Sequence, residues 1–162
     1  IWGRSLPEVL REEIMGPIGA SDSWCWHGYA NSWVEIEGRR IQSVSGGGHW
    51  GGGMFISAYD QARFGLFCLR NGEWNGKQLL STDWIKKAKT PTTLSPTYGF
   101  MNWFLNTDRA LIPSAPESSY FHGGAGTNRI WVAPELDLVV VSRWIDGDAS
   151  GGFAERVLAA VQ

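Results

Sequence analysis

Several chemistries are excluded by what this 162-residue chain does not contain. It has only two cysteines, Cys25 and Cys68, and three histidines with no His-x-x-x-His spacing. That is too few ligands, too far apart, for a zinc site, and no metal or other cofactor is expected. The two cysteines are compatible with one disulfide or with two free thiols. No apolar run approaches the roughly 18 residues a membrane span needs. The longest, Leu136 to Val141, is interrupted by Asp137 and reads as a buried strand. Basic and acidic residues nearly balance, 14 against 16, and no window gathers Lys or Arg among aromatics, which argues against nucleic acid and anionic membrane as partners.

A nucleophile is also missing. No serine has Lys three residues later, and none has Gly at both minus two and plus two, so neither Ser-x-x-Lys nor the nucleophile elbow is present. Neither cysteine lies in a cysteine-protease signature. Glu35, Glu37, Asp146 and Asp148 fall in turns or hairpins that are expected to be solvated, a poor setting for paired glycosidase carboxylates. Tyr29-Ala30-Asn31 has the form Tyr-x-Asn, but its place just before a predicted hairpin suits a surface turn.

What the chain does have is ten tryptophans and 21 glycines. A chain of this length can bury about two thirds of its unfolded surface, so a real core is possible. Aromatic walls joined by tight backbone suit a ligand groove, a lectin-like surface or a heavy core. Six of the eight residues from Gly46 to Gly53 are glycine, which predicts a loop able to press His49 and Trp50 against a ligand. It lacks the Gly-Lys-Ser/Thr ending of a phosphate loop.

Ser5-Leu6-Pro7-Glu8 is a capping box, and Leu6, Val9, Leu10 and Ile14 then share a helical face up to Gly16-Pro17. Ser32 to Ile36 and Arg40 to Val44 alternate around Glu37-Gly38 as a hairpin. A second capping box, Ser57 to Asp60, opens a helix with Tyr59, Ala62, Leu66 and Leu69 on one face, stopped by Asn71-Gly72. Gly72 to Leu80 predicts a turn-rich ribbon, and Ser81-Thr82-Asp83 caps a short helix through Ala88. Tyr98 to Leu105 reads as an aromatic strand, Asp108 to Glu117 as a loop, and Ser119 to His122 as strand. Arg129 to Ala133 and Leu138 to Trp144 form a hairpin through Pro134 to Asp137. A closing helix places Phe153, Val157, Leu158 and Val161 together. This order gives an α+β fold, an antiparallel sheet with the C-terminal helix packed on it, and nothing marks an internal boundary within 1–162.

The candidate chemistry lies at Tyr120-Phe121-His122-Gly123-Gly124-Ala125-Gly126-Thr127. A lone His on a strand is more often structural than catalytic. Here it is followed by glycines that allow a ligand to approach the backbone, and exposed N–H groups at a strand end are the usual oxyanion-hole donors.

Met15-Gly16-Pro17-Ile18-Gly19, Ser45 to Met54, Ser57-Ala58-Tyr59-Asp60-Gln61-Ala62-Arg63-Phe64-Gly65, Asn71-Gly72-Glu73-Trp74 and Phe121-His122-Gly123-Gly124 occur in an order that resembles the serine β-lactamase and penicillin-binding-protein superfamily. Its nearest branch is the class C β-lactamase-related group of esterases and D-amino-acid peptidases. The resemblance implies a partial β-lactamase/transpeptidase-like fold, residues 1–162 forming one partial domain that lacks its N-terminal portion. Ser-x-x-Lys and Tyr-x-Asn, the first two motifs of that family, lie upstream of the helix matching Leu6 to Met15. His122-Gly123-Gly124 matches the third motif in its His-x-Gly form, and the Ala125 N–H takes the place of one oxyanion donor.

The implied function is therefore the C-terminal portion of a serine acyl hydrolase acting on ester, amide or β-lactam substrates through an acyl-enzyme. His122 and Ala125 would be catalytic, with Gly123, Gly124, His49 and Trp50 against a small-molecule or peptide substrate. Such a chain is expected to be inactive alone, periplasmic or secreted, and prone to self-association through an exposed sheet edge. His instead of Lys removes a permanent charge at neutral pH, which points to an esterase or peptidase-like parent and away from a β-lactam specialist. The competing expectation is a non-catalytic module binding glycans or peptidoglycan fragments through Trp24, Trp26, Trp33, Trp50, Trp74 and Trp103.

Overall fold

The computed structural model describes residues 2–44, 53–100 and 103–161. The chain divides into two compact units, Ile1–Arg63 and Phe64–Gln162.

In the first unit, α1 (Leu6–Leu10) opens on the expected capping box: the Glu8 N–H donates to Ser5 Oγ at 3.4 Å, and the Ser5 N–H donates to Glu8 Oε2 at 3.0 Å. The helix continues as a π-type turn, Arg11–Met15, that buries Ile14 and Met15. The wider turn rotates the buried stripe away from regular α spacing, and Leu6, expected on that face, is exposed. Strands β1 (Cys25–His27), β2 (Trp33–Ile36), β3 (Arg39–Gln42) and β4 (Gly53–Phe55) follow. β2 and β3 form the predicted hairpin, with Glu37 and Gly38 both at positive φ, 50° and 75°, as tight hairpin turns require. The Ser32 N–H donates to the Tyr29 carbonyl at 3.0 Å, so Tyr29-Ala30-Asn31 is a turn. β1 pairs antiparallel with β4, Trp26 opposite Met54.

α2 (Ala58–Leu69) starts in the first unit and ends in the second. Its N-terminus is built on Ser57 and the buried Asp60. The Asp60 N–H donates to Ser57 Oγ at 3.1 Å, while its carboxylate accepts from the Ser57 hydroxyl at 2.8 Å and from the N–H and hydroxyl of Ser21 at 2.9 and 2.7 Å. Burial opposes the charge on Asp60, but these hydrogen bonds outweigh it and hold the carboxyl below its ordinary value. The face expected from Tyr59, Ala62, Leu66 and Leu69 is corrected. Tyr59 is 85% exposed and Leu66 is also exposed, whereas Phe67, Cys68 and Leu69 are buried. The cause is Gly65: a Cβ there would lie 2.5 Å from Val139 Cγ1 and 2.8 Å from Ile130 Cγ2, so the helix backbone itself sits against the sheet and turns the residues beside Gly65 inward.

The second unit continues with β5 (Glu73–Trp74) and β6 (Lys77–Gln78), then α3 (Thr82–Ala88), capped as predicted by Ser81, whose Oγ accepts from the Trp84 N–H at 3.2 Å. β7 (Tyr98–Gly99), β8 (Trp103–Leu105), β9 (Tyr120–Gly124), β10 (Asn128–Ala133) and β11 (Leu138–Ser142) form a five-stranded antiparallel sheet in the order β11-β10-β9-β8-β7. Tyr98 to Leu105 is thus a pair of short strands, Tyr98 opposite Phe104, and not one aromatic strand. Phe100 takes a φ of 38° between them, a reversal that no glycine advertises. Buried Asn106 shapes the next loop: its amide donates to the Ile112 and Pro116 carbonyls at 3.1 and 3.0 Å, and its oxygen accepts from the Ile112 N–H at 2.8 Å.

α4 (Ser150–Val161) closes the chain. Ala154 and Leu158 pack with Ala115, Trp131 and Ala133 in one buried cluster that Val157, Phe121 and Val140 flank. Phe153 and Val161 are exposed, so the buried face of α4 is rotated by about one position from the expected one. The Cys25 and Cys68 thiols are both free, and burial pushes Cys68 up to about 12. No helix among the described residues is long and apolar enough to cross a membrane.

Candidate active site

β9 is the middle strand of the five, paired with β10 on one side and β8 on the other. Its alternation sends Tyr120, His122 and Gly124 to one face and Phe121 and Gly123 to the other. On the first face the half-buried His122 ring stands edge-on to three aromatics. Centroid separations are 4.5 Å to Trp103, 5.5 Å to Phe64 and 6.1 Å to Tyr120. Trp103 and Tyr120 are buried and 4.7 Å apart, so packed rings fix the imidazole, whose Nε2 is itself buried. Burial raises the Tyr120 hydroxyl well above its ordinary range, which keeps it neutral.

On the second face Phe104 and Phe121 stack at 4.9 Å, and a Cβ on Gly123 would lie 3.2 and 3.3 Å from their rings. Glycine at 123 therefore lets two aromatics close beneath the strand. Gly124 is exposed, and a Cβ there would meet only ordinary contacts at 3.9 Å, so its backbone is approachable.

Ala125, also exposed, begins a short 3₁₀ turn, Ala125–Thr127, with Gly126 at a φ of 72° and Thr127 at 54°. The turn is tied down through its carbonyls. Asn128 Nδ2 donates to the Ala125 carbonyl at 2.6 Å, the Trp144 N–H donates to the Gly126 carbonyl at 3.0 Å, and the Thr127 hydroxyl donates to the Ile145 carbonyl. Arg143 Nε in turn donates to Asn128 Oδ1 at 3.3 Å. A rigid, exposed backbone turn directly after a fixed imidazole is an arrangement able to hold developing negative charge without reorganising.

Of the predicted site residues, His122, Gly123, Gly124 and Ala125 therefore lie together on β9 and its turn, while His49 and Trp50 fall outside the described residues. Sequence reading missed the ring box of Phe64, Trp103 and Tyr120, for which the register Phe104 opposite Phe121 was the needed information. It also missed Asn128, Thr127 and Trp144 as braces of the turn. Among the described residues no group of His, Cys, Asp and Glu could hold a metal ion. Of the tryptophans expected to line a glycan groove, Trp24 and Trp103 are buried, Trp26 and Trp74 half-buried and Trp33 exposed.

The antiparallel sheet with its C-terminal helix matches β-lactamase-like folds over part of their length. Solved structures agree. A β-lactamase from Mycobacterium bovis matches 98% of this chain with a TM-score of 0.65 and 19% identity. A penicillin-binding protein homologue from Caulobacter crescentus matches 82% with a TM-score of 0.52 and 18% identity. A protein described as a 6-aminohexanoate-dimer hydrolase from Bacillus anthracis matches 68% with a TM-score of 0.52 and 20% identity. At these identities the likeness establishes the fold. The chain spans 57%, 44% and 30% of their respective lengths. No family model and no curated protein matches the sequence.

Proposed function

We propose that this chain is the C-terminal portion of a serine acyl hydrolase that cleaves ester, amide or β-lactam substrates through an acyl-enzyme, and that residues 1–162 form one partial domain of it. The observation that carries the reading is the placement of His122 in an aromatic box directly before the exposed, braced Gly124-Ala125 turn.

In this reading the serine and its base come from a segment outside the chain, and the chain alone is inactive. When the serine oxygen attacks the substrate carbonyl, the carbonyl oxygen takes up negative charge, and the Ala125 N–H donates to it alongside the amide of the serine itself. His122 orients the substrate or supplies a proton to it; without the permanent charge of a lysine it grips a substrate carboxylate less strongly, which favours ester and amide substrates. Gly123 and Gly124 keep side chains away from the substrate path. The compartment that suits such an enzyme is periplasmic or extracellular, and the apolar edge strand β11 is where a second copy would pair.

The test is hydrolysis of p-nitrophenyl esters by a polypeptide that joins this chain to its serine-bearing segment. His122→Ala is expected to lower kcat/KM by about a hundredfold, with the melting temperature nearly unchanged. Unaltered turnover in that variant contradicts the assigned role. The glycan-binding alternative is less favoured because Trp24 and Trp103 are used in the interior.

A further inference from the structure

Trp144 follows β11 and is, among the described residues, the most exposed tryptophan, at 73%. Large aromatic side chains normally find cover, and this one is held in the open by specific features of two loops. Its own backbone has a φ of 58°, a conformation that bulky side chains rarely adopt. One edge of the ring lies against Gly126: a Cβ at that position would be 2.1 Å from Trp144 Cζ3, 2.3 Å from Cε3 and 2.7 Å from Cη2. No residue but glycine leaves room for the indole there. The Trp144 N–H donates to the Gly126 carbonyl at 3.0 Å, and the Thr127 hydroxyl donates to the carbonyl of Ile145, so both chain segments are clamped around the ring. The indole thus touches the turn that begins at Ala125 along one edge, and most of the side chain is open to solvent.

We infer that Trp144 is a specificity-determining residue, an apolar platform on which the aromatic ring or alkyl chain flanking the scissile carbonyl lies. The inference rests on the proposed role of Ala125 and adds the substrate class: esters or amides with a bulky apolar group, in preference to acetyl or methyl derivatives. Three features support a functional purpose over packing. The indole is not among the side chains packed on the cluster of Ala115, Trp131, Ala133, Ala154 and Leu158, its position demands a glycine opposite, and its backbone conformation favours a smaller residue. Backbone outliers of this kind are retained where the surroundings over-determine them, typically at ligand contacts.

The test uses the polypeptide carrying both this chain and its serine segment, with p-nitrophenyl acetate against p-nitrophenyl octanoate for the acyl side, and ethyl acetate against octyl acetate for the leaving side. Trp144→Asn removes the ring while retaining a residue that tolerates the left-handed backbone. It is expected to raise KM for the octyl member of one series about tenfold, with kcat preserved and the short esters within about twofold. The series that responds identifies the side of the bond that the indole contacts. Trp144→Phe should restore the preference. An equal loss on short and long esters, or an unchanged chain-length profile, overturns the inference while turnover that depends on His122 leaves the hydrolase reading standing. Absence of turnover by the unsubstituted polypeptide overturns both.

Discussion

In residues 2–63 the apolar side chains of Ile14, Met15, Ile18, Trp24 and Val44 are buried together with a carboxylate, Asp60, joined by short hydrogen bonds to Ser21 and Ser57, and the strands are two-stranded ribbons of three or four residues. In residues 64–161 the centre is a five-stranded sheet with α4 packed on one face and Gly65 of α2 against the other. A polar hub loses stability when one partner is protonated or removed, whereas a layered apolar core loses it when volume is removed. The difference bears on function, because the His122 box and the Ala125 turn belong to the second kind of region. Their geometry is set by ring packing and by hydrogen bonds to the carbonyls of the turn.

The comparison can be broken most sharply by volume. Trp131→Ala empties the cluster shared with Ala133, Ala154 and Leu158, and should cost about 3–5 kcal/mol, read as a lower urea midpoint. A loss under 1 kcal/mol would mean that α4 is only loosely bound to the sheet.

Removing the polar hub comes next. Asp60→Ala leaves the Ser21 N–H without its acceptor and should cost about 2 kcal/mol. The same group gives a pH signature. Its folded carboxyl lies below its unfolded value, so its contribution is complete above about pH 4 and disappears as pH falls through the folded value. In the Asp60→Ala variant that acid-induced decrease should shrink, as followed by circular dichroism from pH 6 to pH 2. Cys68 has the opposite sign. Its thiol is raised from 9.0 to about 12, so the stability it contributes is full below pH 9 and is lost as pH rises toward 12. At pH 8 iodoacetamide should modify Cys25 readily and Cys68 only on unfolding; equal rates would contradict the burial of Cys68. The smallest effect belongs to the exposed pair of Arg70 and Asp137, joined at 2.5 and 3.2 Å. Arg70→Ala should cost under about 1 kcal/mol and less still in high salt.

How far the sequence reveals this molecule depends on whether a feature is local. The capping residues Ser5, Ser57 and Ser81 and the hairpin through Pro134 are written in adjacent residues, and each is where the pattern put it. The pairing of β1 with β4 joins segments more than twenty residues apart, and no local alternation encodes it. The buried faces of α2 and α4 were misplaced by about one position, because Gly65 brings the α2 backbone against the sheet and Ala154 lets α4 lie close to Trp131. In the site, the His-Gly-Gly-Ala order is legible as a motif. Its braces are not, since Thr127 and Trp144 adopt positive φ without being glycine, and a propensity argument assigns them elsewhere.

The central claim is that residues 1–162 carry the sheet wall of an acyl-transfer site and no nucleophile. It is tested most directly by a fluorophosphonate probe applied in parallel to the isolated chain and to the chain joined to its serine-bearing segment, with the labelled residue located by mass spectrometry. The account predicts no label on the isolated chain and a single labelled serine outside residues 1–162 in the joined polypeptide. Label on any serine within residues 1–162 would contradict it.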